Sequence, residues 1–182
     1  TLRILRRNSI SVAGSTIVAA FFIMALAAVL AGDRITPYNP YQIDLSGRFQ
    51  PPSWRHLFGT DQLGRDVFSR VIMGAPIDLA IALIVVAASV LMGVAVGSIA
   101  GYYGGRYDEA LMRITDMFLA FPIVMLALAV SMALGPGTFH VIEALVVVWW
   151  PVYSRTARAE AMTVKENQYI EAARASGSSN LT

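Results

Sequence analysis

The sequence predicts an all-α protein, a polytopic bundle of membrane-crossing helices, and three observations carry this. Hydrophobic residues fill 56% of the 182 positions and charged residues only 14%, against about 25% charged in a soluble domain. The charges, 14 Lys+Arg and 12 Asp+Glu, gather into islands at Arg3–Arg7, Asp33–Asp78, Arg106–Asp116, Glu143 and Arg155–Arg174. Between them run charge-free stretches, Asn8–Gly32, Leu79–Gly105 and Met117–Ile142. Runs of that length exclude a solvated globule. Disorder is excluded with it, and a net charge of +2 is too small to make a basic face for nucleic acid. The absence of Cys removes disulfides, thiol catalysis and Cys-based metal sites.

The first run, Ile10–Ala31, has 22 uncharged residues, about 33 Å of helix, which covers a hydrocarbon core of roughly 30 Å. Arg3, Arg6 and Arg7 precede it as they would a signal peptide, but its apolar part exceeds the roughly 7–15 residues of a signal core, so a retained helix is expected. The second run, Leu79–Ala100, is again 22 residues, with Gly93, Gly97 and Gly101 at four-residue spacing. Apolar side chains gain little by leaving lipid for one another, so small residues that admit close backbone approach predict a packing face. The third run, Met117–Leu134, is 18 residues with Pro122 near its start, and it stops at Gly135-Pro136-Gly137, a strong turn signal. A fourth helix needs to begin near Phe139 and continue past Arg155. Trp149, Trp150 and Tyr153 suit a membrane–water interface, and Pro151 predicts a kink.

The positive-inside rule puts the N-terminus in the cytoplasm. Alternation then places Asp33–Asp78 outside, Tyr102–Asp116 inside, the Gly-Pro-Gly turn outside and Arg155–Thr182 inside, dividing Lys+Arg nine to five in favour of the inside. The expected organisation is a stub and first transmembrane helix over 1–32, an extracytoplasmic segment with a short helix over 33–78, and a core of three further helices over 79–182.

The outer segment holds Phe58-Gly59-Thr60-Asp61-Gln62-Leu63-Gly64-Arg65-Asp66. Gly59 and Gly64 permit tight turns, and Asp61 is a candidate N-cap of a short helix carrying Asp66 and Arg70 as an i,i+4 pair. Two carboxylates without further ligands favour a capped helix over a metal site. Gly101-Tyr102-Tyr103-Gly104-Gly105 lacks the Gly-Lys-Ser/Thr ending of a nucleotide loop and reads as a turn between helices. In the helical start after it, Arg113 and Asp116 stand three apart. His140 and Glu143 share a helix face near the outer end, where a proton relay or ion site competes with plain contact with water. The last segment, Tyr169–Gly177, reads as a short amphipathic helix with Tyr169, Ile170 and Ala173 on one edge, Glu171 and Arg174 three apart and Gly177 as its stop. Too short to stand alone, such a helix must dock on something.

Glu171-Ala172-Ala173 followed by Gly177 resembles the EAA loop of ABC-importer permeases. The segments Gly59-Thr60-Asp61 with Gly64-Arg65-Asp66, Gly101-Tyr102-Tyr103-Gly104-Gly105, Asp108, Met112-Arg113, Asp116, Phe121-Pro122 and Trp150 resemble the dipeptide, oligopeptide and nickel permease family, in its C-type subunit. The resemblance implies a type I ABC importer fold with about six spans in a complete subunit, four of them in this chain. It implies a coupling helix at Glu171, Ala172, Ala173 and Gly177 that docks on a cytoplasmic ATPase and turns its closure into alternating access for a peptide or related small solute. Gly59, Thr60, Asp61, Gly64, Arg65 and Asp66 are family-motif positions with no role attached. The implied partners are a second homologous permease subunit, two ATPase subunits and an extracytoplasmic binding protein, in a prokaryotic inner membrane. ATP and Mg would sit on the ATPases, so no cofactor, catalytic residue or metal is expected on this chain. The family pattern continues past the EAA loop to two more spans, which implies that Thr182 is not the natural end. The alternatives are a membrane-embedded enzyme, or a passive channel or structural subunit, using His140 and Glu143.

Overall fold

A computed structural model describes residues 8–177, apart from the side chains of Ala173 and Arg174. Arg3, Arg6 and Arg7, on which the predicted orientation rests, lie outside the described residues. Among the described residues the regular structure is helical, and the one β feature is an isolated antiparallel bridge between Thr60 and Asp66. It divides into two compact units, Thr1–Ile81 and Ala82–Thr182.

In the first unit, α1 (Ser9–Ala31) follows the predicted limits within one residue. Asn8 caps it, its side chain accepting the Ile10 amide at 3.1 Å, which satisfies one of the amides that a helix start leaves unpaired. Only Ala25 and Ala28 of α1 are buried, so this apolar rod presents nearly all of its surface outward. Short 3-10 turns follow at Gly32–Ile35 and Leu45–Gly47. Helix α2 (Val67–Tyr103) then runs for 37 residues, about 55 Å, nearly twice a hydrocarbon core. It starts twelve residues before the uncharged run, since Arg70 and Asp78 interrupt the apolar pattern without interrupting the helix. Pro76 is accommodated within it.

In the second unit, the α2 backbone turns through Gly104 and Gly105, both at positive φ, into α3 (Gly105–Leu119). The third predicted span is not one helix. Its first residues end α3, and α4 (Ile123–Leu134) leaves at 89° to it. The break follows from Pro122, which disfavours helical backbone at Phe121 and itself has ψ 124°. Helix α5 (Thr138–Lys165) has 28 residues and passes through Pro151 without ending, matching the predicted start and the run past Arg155. Helix α6 (Gln168–Ala175) follows after Glu166 and Asn167.

Among the described residues two helices, α1 and α2, are long and apolar enough to cross a membrane, or three if α3 and α4 together form one bent span. Helix α5 has the length, but His140, Glu143 and the polar run from Arg155 dilute its apolar stretch.

The core of the second unit is a seam of small residues. A methyl added at Gly93 would lie 2.6 Å from the Trp150 carbonyl oxygen, and one at Gly101 would lie 2.7 Å from that of Arg158. At Gly97 it would overlap the Ser154 carbonyl oxygen and sit 2.9 Å from the Ala157 Cβ. The predicted packing face is therefore real, and its partner is the backbone of α5. Ser89, one four-residue step before Gly93, extends the stripe. Both Ser89 and Ser154 are fully buried, with hydroxyls lacking a partner. Small size explains their presence better than hydrogen bonding does.

Candidate functional site

Two constellations hold the residues singled out by sequence. The first is a polar knot in the first unit. Thr60 donates to the Gly47 carbonyl at 2.5 Å and accepts the Gln50 amide at 2.8 Å. Asp61 accepts five donors. The amides of Leu63 and Arg65 reach its Oδ1 at 2.8 and 3.1 Å. Arg65 Nε, Arg65 Nη2 and Arg70 Nη1 reach its Oδ2 at 2.8, 2.8 and 2.5 Å. Asp66 is buried, with His56 Nδ1 at 2.9 Å from Oδ1 and the Ser69 amide and hydroxyl donating to Oδ2 at 2.8 and 2.6 Å. The Ser69 hydroxyl in turn accepts the Tyr38 amide at 3.3 Å.

This geometry corrects two expectations. The cap of the helix is Asp66, which satisfies the third amide of α2, and Asp61 caps nothing. Arg70 pairs with Asp61 across the turn, so the i,i+4 partnership with Asp66 does not form. Gly59 and Gly64 have φ of 73° and 72°, a region closed to most side chains. A methyl at Gly64 would overlap the Asp44 carbonyl oxygen. The six motif positions thus lie in one folded connection, held mostly by residues 44–56 and 69–70 around them, and among the described residues no group of three or more His, Asp or Glu could hold a metal.

Burial raises the pKa of Asp61, but the Arg65 and Leu63 amides and the Arg65 guanidinium outweigh it and hold the carboxyl at about 2, below the unfolded 3.8. Asp66 is likewise raised by burial and lowered further by Ser69 and His56, with a net downward shift. A carboxylate with a depressed folded pKa stabilises fully above its unfolded value and loses that stabilisation as pH falls toward the folded one. The knot is therefore expected to hold at pH 5 and to open between about pH 4 and pH 2, read as amide exchange over residues 44–66. Exchange unchanged down to pH 2 would contradict this.

The second constellation surrounds α6. The helix ends at Ala175, Ser176 donates its amide to the Ala172 carbonyl at 3.0 Å, and Gly177 follows at φ 84°, the left-handed stop expected of a C′ residue. The side chains of Gln168, Tyr169, Glu171 and Ala172 are exposed. The expected place of Ala173 on the apolar edge and the Glu171–Arg174 pairing involve side chains outside those described. Asn167 joins α6 to α5, its amide donating to the Val164 carbonyl at 3.1 Å and its carbonyl accepting the amides of Ile170 and Glu171 at 2.9 and 3.3 Å.

Ahead of it, the end of α5 is tied to its neighbours by groups whose pairing has no local sequence signal. Lys165 Nζ donates to the Tyr102 carbonyl at 2.7 Å, closing the last turn of α2. Arg158 makes a two-pronged contact with Asp108, both N–O distances 2.5 Å. Asp116 pairs with Arg155 at 2.5 Å. Its suggested neighbour Arg113 instead approaches Glu109 at 3.8 Å. Elsewhere, His140 Nδ1 and Glu143 do meet, at 3.1 Å, with side chains 37% and 41% exposed. The pair stands at the start of α5, half-exposed within this chain.

Comparison with known proteins agrees with this architecture. Residues 93–182 match the family described as binding-protein-dependent transport system inner membrane component. Residues 1–52 match the N-terminal transmembrane domain of oligopeptide transport permease C. The chain is 41% identical over 179 residues, 98% of itself and 58% of the relative, to a peptide transport system permease protein of Brucella suis biovar 1. It is 38% identical over 161 residues, 88% of itself and 54% of the relative, to a D,D-dipeptide transport system permease protein of Escherichia coli K12. To the nickel transport system permease protein of the same strain it is 35% identical over 164 residues, 89% of itself and 59% of the relative. The chain thus spans a little over half the length of the curated relatives it matches. Two matching families and apolar helices make it part of a multi-pass inner-membrane protein. The chain belongs to the binding-protein-dependent transport inner-membrane components, in the dipeptide, oligopeptide and nickel permease family.

Proposed function

We propose that the protein is a permease subunit of an ATP-driven importer for peptides or a related small solute, and that α6 is its coupling helix. The observation that carries this reading is the form of α6. It is an eight-residue helix with Glu171 and Ala172 exposed, stopped by a left-handed glycine and joined without slack to a 28-residue helix. Ala172 and Ala173 leave room for a closely approaching surface, and Glu171 offers a charge to a basic group on it. On this reading the N-terminus and α6 are cytoplasmic and the Thr60–Asp66 knot is extracytoplasmic. The partners are a homologous permease subunit, two ATPases that carry ATP and Mg, and a binding protein that delivers the solute. Hydrolysis takes place on the ATPases, and this chain converts their closure into alternating access.

In the full-length, assembled transporter, Glu171→Arg and Gly177→Val are expected to lower ATP-driven uptake by about tenfold or more. A lost charge-assisted contact costs about 1.5–3 kcal/mol, and at Gly177 the backbone conformation itself resists a β-branched side chain. Uptake at the unsubstituted rate in both variants, with the chain present in the membrane, would remove the coupling role.

A further inference from the structure

Arg158 is the residue at which three helices of the second unit meet. Its carbonyl oxygen lies against α2, where a methyl at Gly101 would come within 2.7 Å of it. Its guanidinium grips α3 through both carboxylate oxygens of Asp108. Along its own helix it stands seven residues before Lys165, the last residue of α5, about 10 Å from the start of the connection to α6. We infer that Arg158 is a positioning residue for transport, the joint through which displacement of α6 is passed to α3 and, through the 89° bend at Pro122, to α4.

This rests on the coupling role proposed for α6. A helix docked on a moving partner transmits force only through contacts that neither slide nor stretch. The α2 side of the joint is steric, backbone against glycine, and cannot be compressed. The α3 side has three rungs: Asp108–Arg158, Asp116–Arg155, and the edge-on contact of Phe118 with Trp150 at 5.5 Å. The rungs differ in stiffness. Arg155 and Asp116 have side chains 58% and 51% exposed and share one short contact, whereas Arg158 and Asp108 are 32% and 21% exposed and share two. Open, single-contact ion pairs are weak and screened, and a two-pronged guanidinium–carboxylate pair fixes orientation as well as distance. The nearer rung to α6 is thus also the firmer one. Beyond the bend, α4 and α5 border an apolar cleft of about 360 Å³ lined by residues such as Val124, Leu128, Leu145 and Trp149. Movement of α3 relative to α5 would reach that cleft through α4.

The test uses the full-length transporter reconstituted with its ATPases and binding protein, and reads solute imported per ATP hydrolysed. Asp108→Asn removes the charge, and Arg158→Lys keeps the charge but loses the fork. Each is expected to lower the ratio by about 2- to 30-fold, the range for residues that modulate coupling without touching either ligand. The ATPases should still co-purify. The exchange Asp108→Arg with Arg158→Asp should recover part of the loss, which a lesion unrelated to this pair would not, and the ratio falling while the ATPases stay bound separates lost coupling from lost structure. If Asp108→Asn fails to assemble, Arg158→Lys alone decides, with the same expectation. A ratio unchanged in the variants that assemble overturns the joint, as does an exchange that assembles yet recovers nothing. An unsubstituted chain that recruits no ATPase overturns the coupling role of α6 instead, a different failure seen before any variant is made.

Discussion

Gly97→Val is expected to destroy the second unit. A Cβ at position 97 overlaps the Ser154 carbonyl oxygen and meets the Ala157 Cβ and the Arg158 amide at 2.9 Å. None of these is the free end of a flexible side chain, so α2 and α5 would have to separate. Overpacking of a tight core costs about 1–3 kcal/mol, and here the obstacle is backbone, so the upper end applies. Separation is also poorly compensated. In lipid the parted faces meet acyl chains almost as readily as each other, and close packing is what holds them. The same seam positions Arg158 and Lys165, so loosening it would undo the ties to α3 and to Tyr102. Gly14→Val is the control, since nothing lies within 4 Å of a methyl there. Protease resistance of purified protein should fall sharply for the first and stay unchanged for the second. Equal resistance would contradict the packing.

Gly64→Ala is expected to open the polar knot. Its φ of 72° costs about 1–2 kcal/mol for a residue with a Cβ, and the added methyl overlaps the Asp44 carbonyl oxygen. Asp44 is tied to this loop by its amide, which donates to the Leu63 carbonyl at 3.1 Å, so displacing it breaks a second link. The combined loss is about 3 kcal/mol or more. Gly105→Ala isolates the conformational part, having φ 53° but open space around a methyl. Amide exchange over residues 44–66 should rise far more in the first variant than exchange near residue 105 in the second. Similar behaviour of the two would show that Asp44 yields easily.

These glycines mark how much the sequence disclosed. Uncharged runs disclosed α1 and the membrane part of α2, because in lipid the absence of charge is itself the signal. They stop short of the twelve residues from Val67, where the short helix expected around Arg70 turns out to be the start of α2 itself, since a helix outside the apolar layer carries charge freely. Pro122 was visible, but a proline near a helix start is compatible with a straight span, and its effect depended on ψ at one residue. The spacing of Gly93, Gly97 and Gly101 told which face packs and could not tell against what. In the knot, the importance of Asp61 and Asp66 is legible but their partners are not, because the partners of a carboxylate in a turn are set by where the chain folds back. Asp108 and Arg158, fifty positions apart, had no local mark at all. Gly177, by contrast, was legible in full, since a helix stop is decided within three residues.

On the proposed function, ATPase motion enters this chain at α6. The most direct test of this is retention of the ATPase subunits by the full-length chain carrying Glu171→Arg, purified from membranes beside the unsubstituted protein. The unsubstituted chain is expected to bring down the ATPases and Glu171→Arg to lose most of them, with uptake falling in step. Full retention together with undiminished uptake would contradict entry at α6.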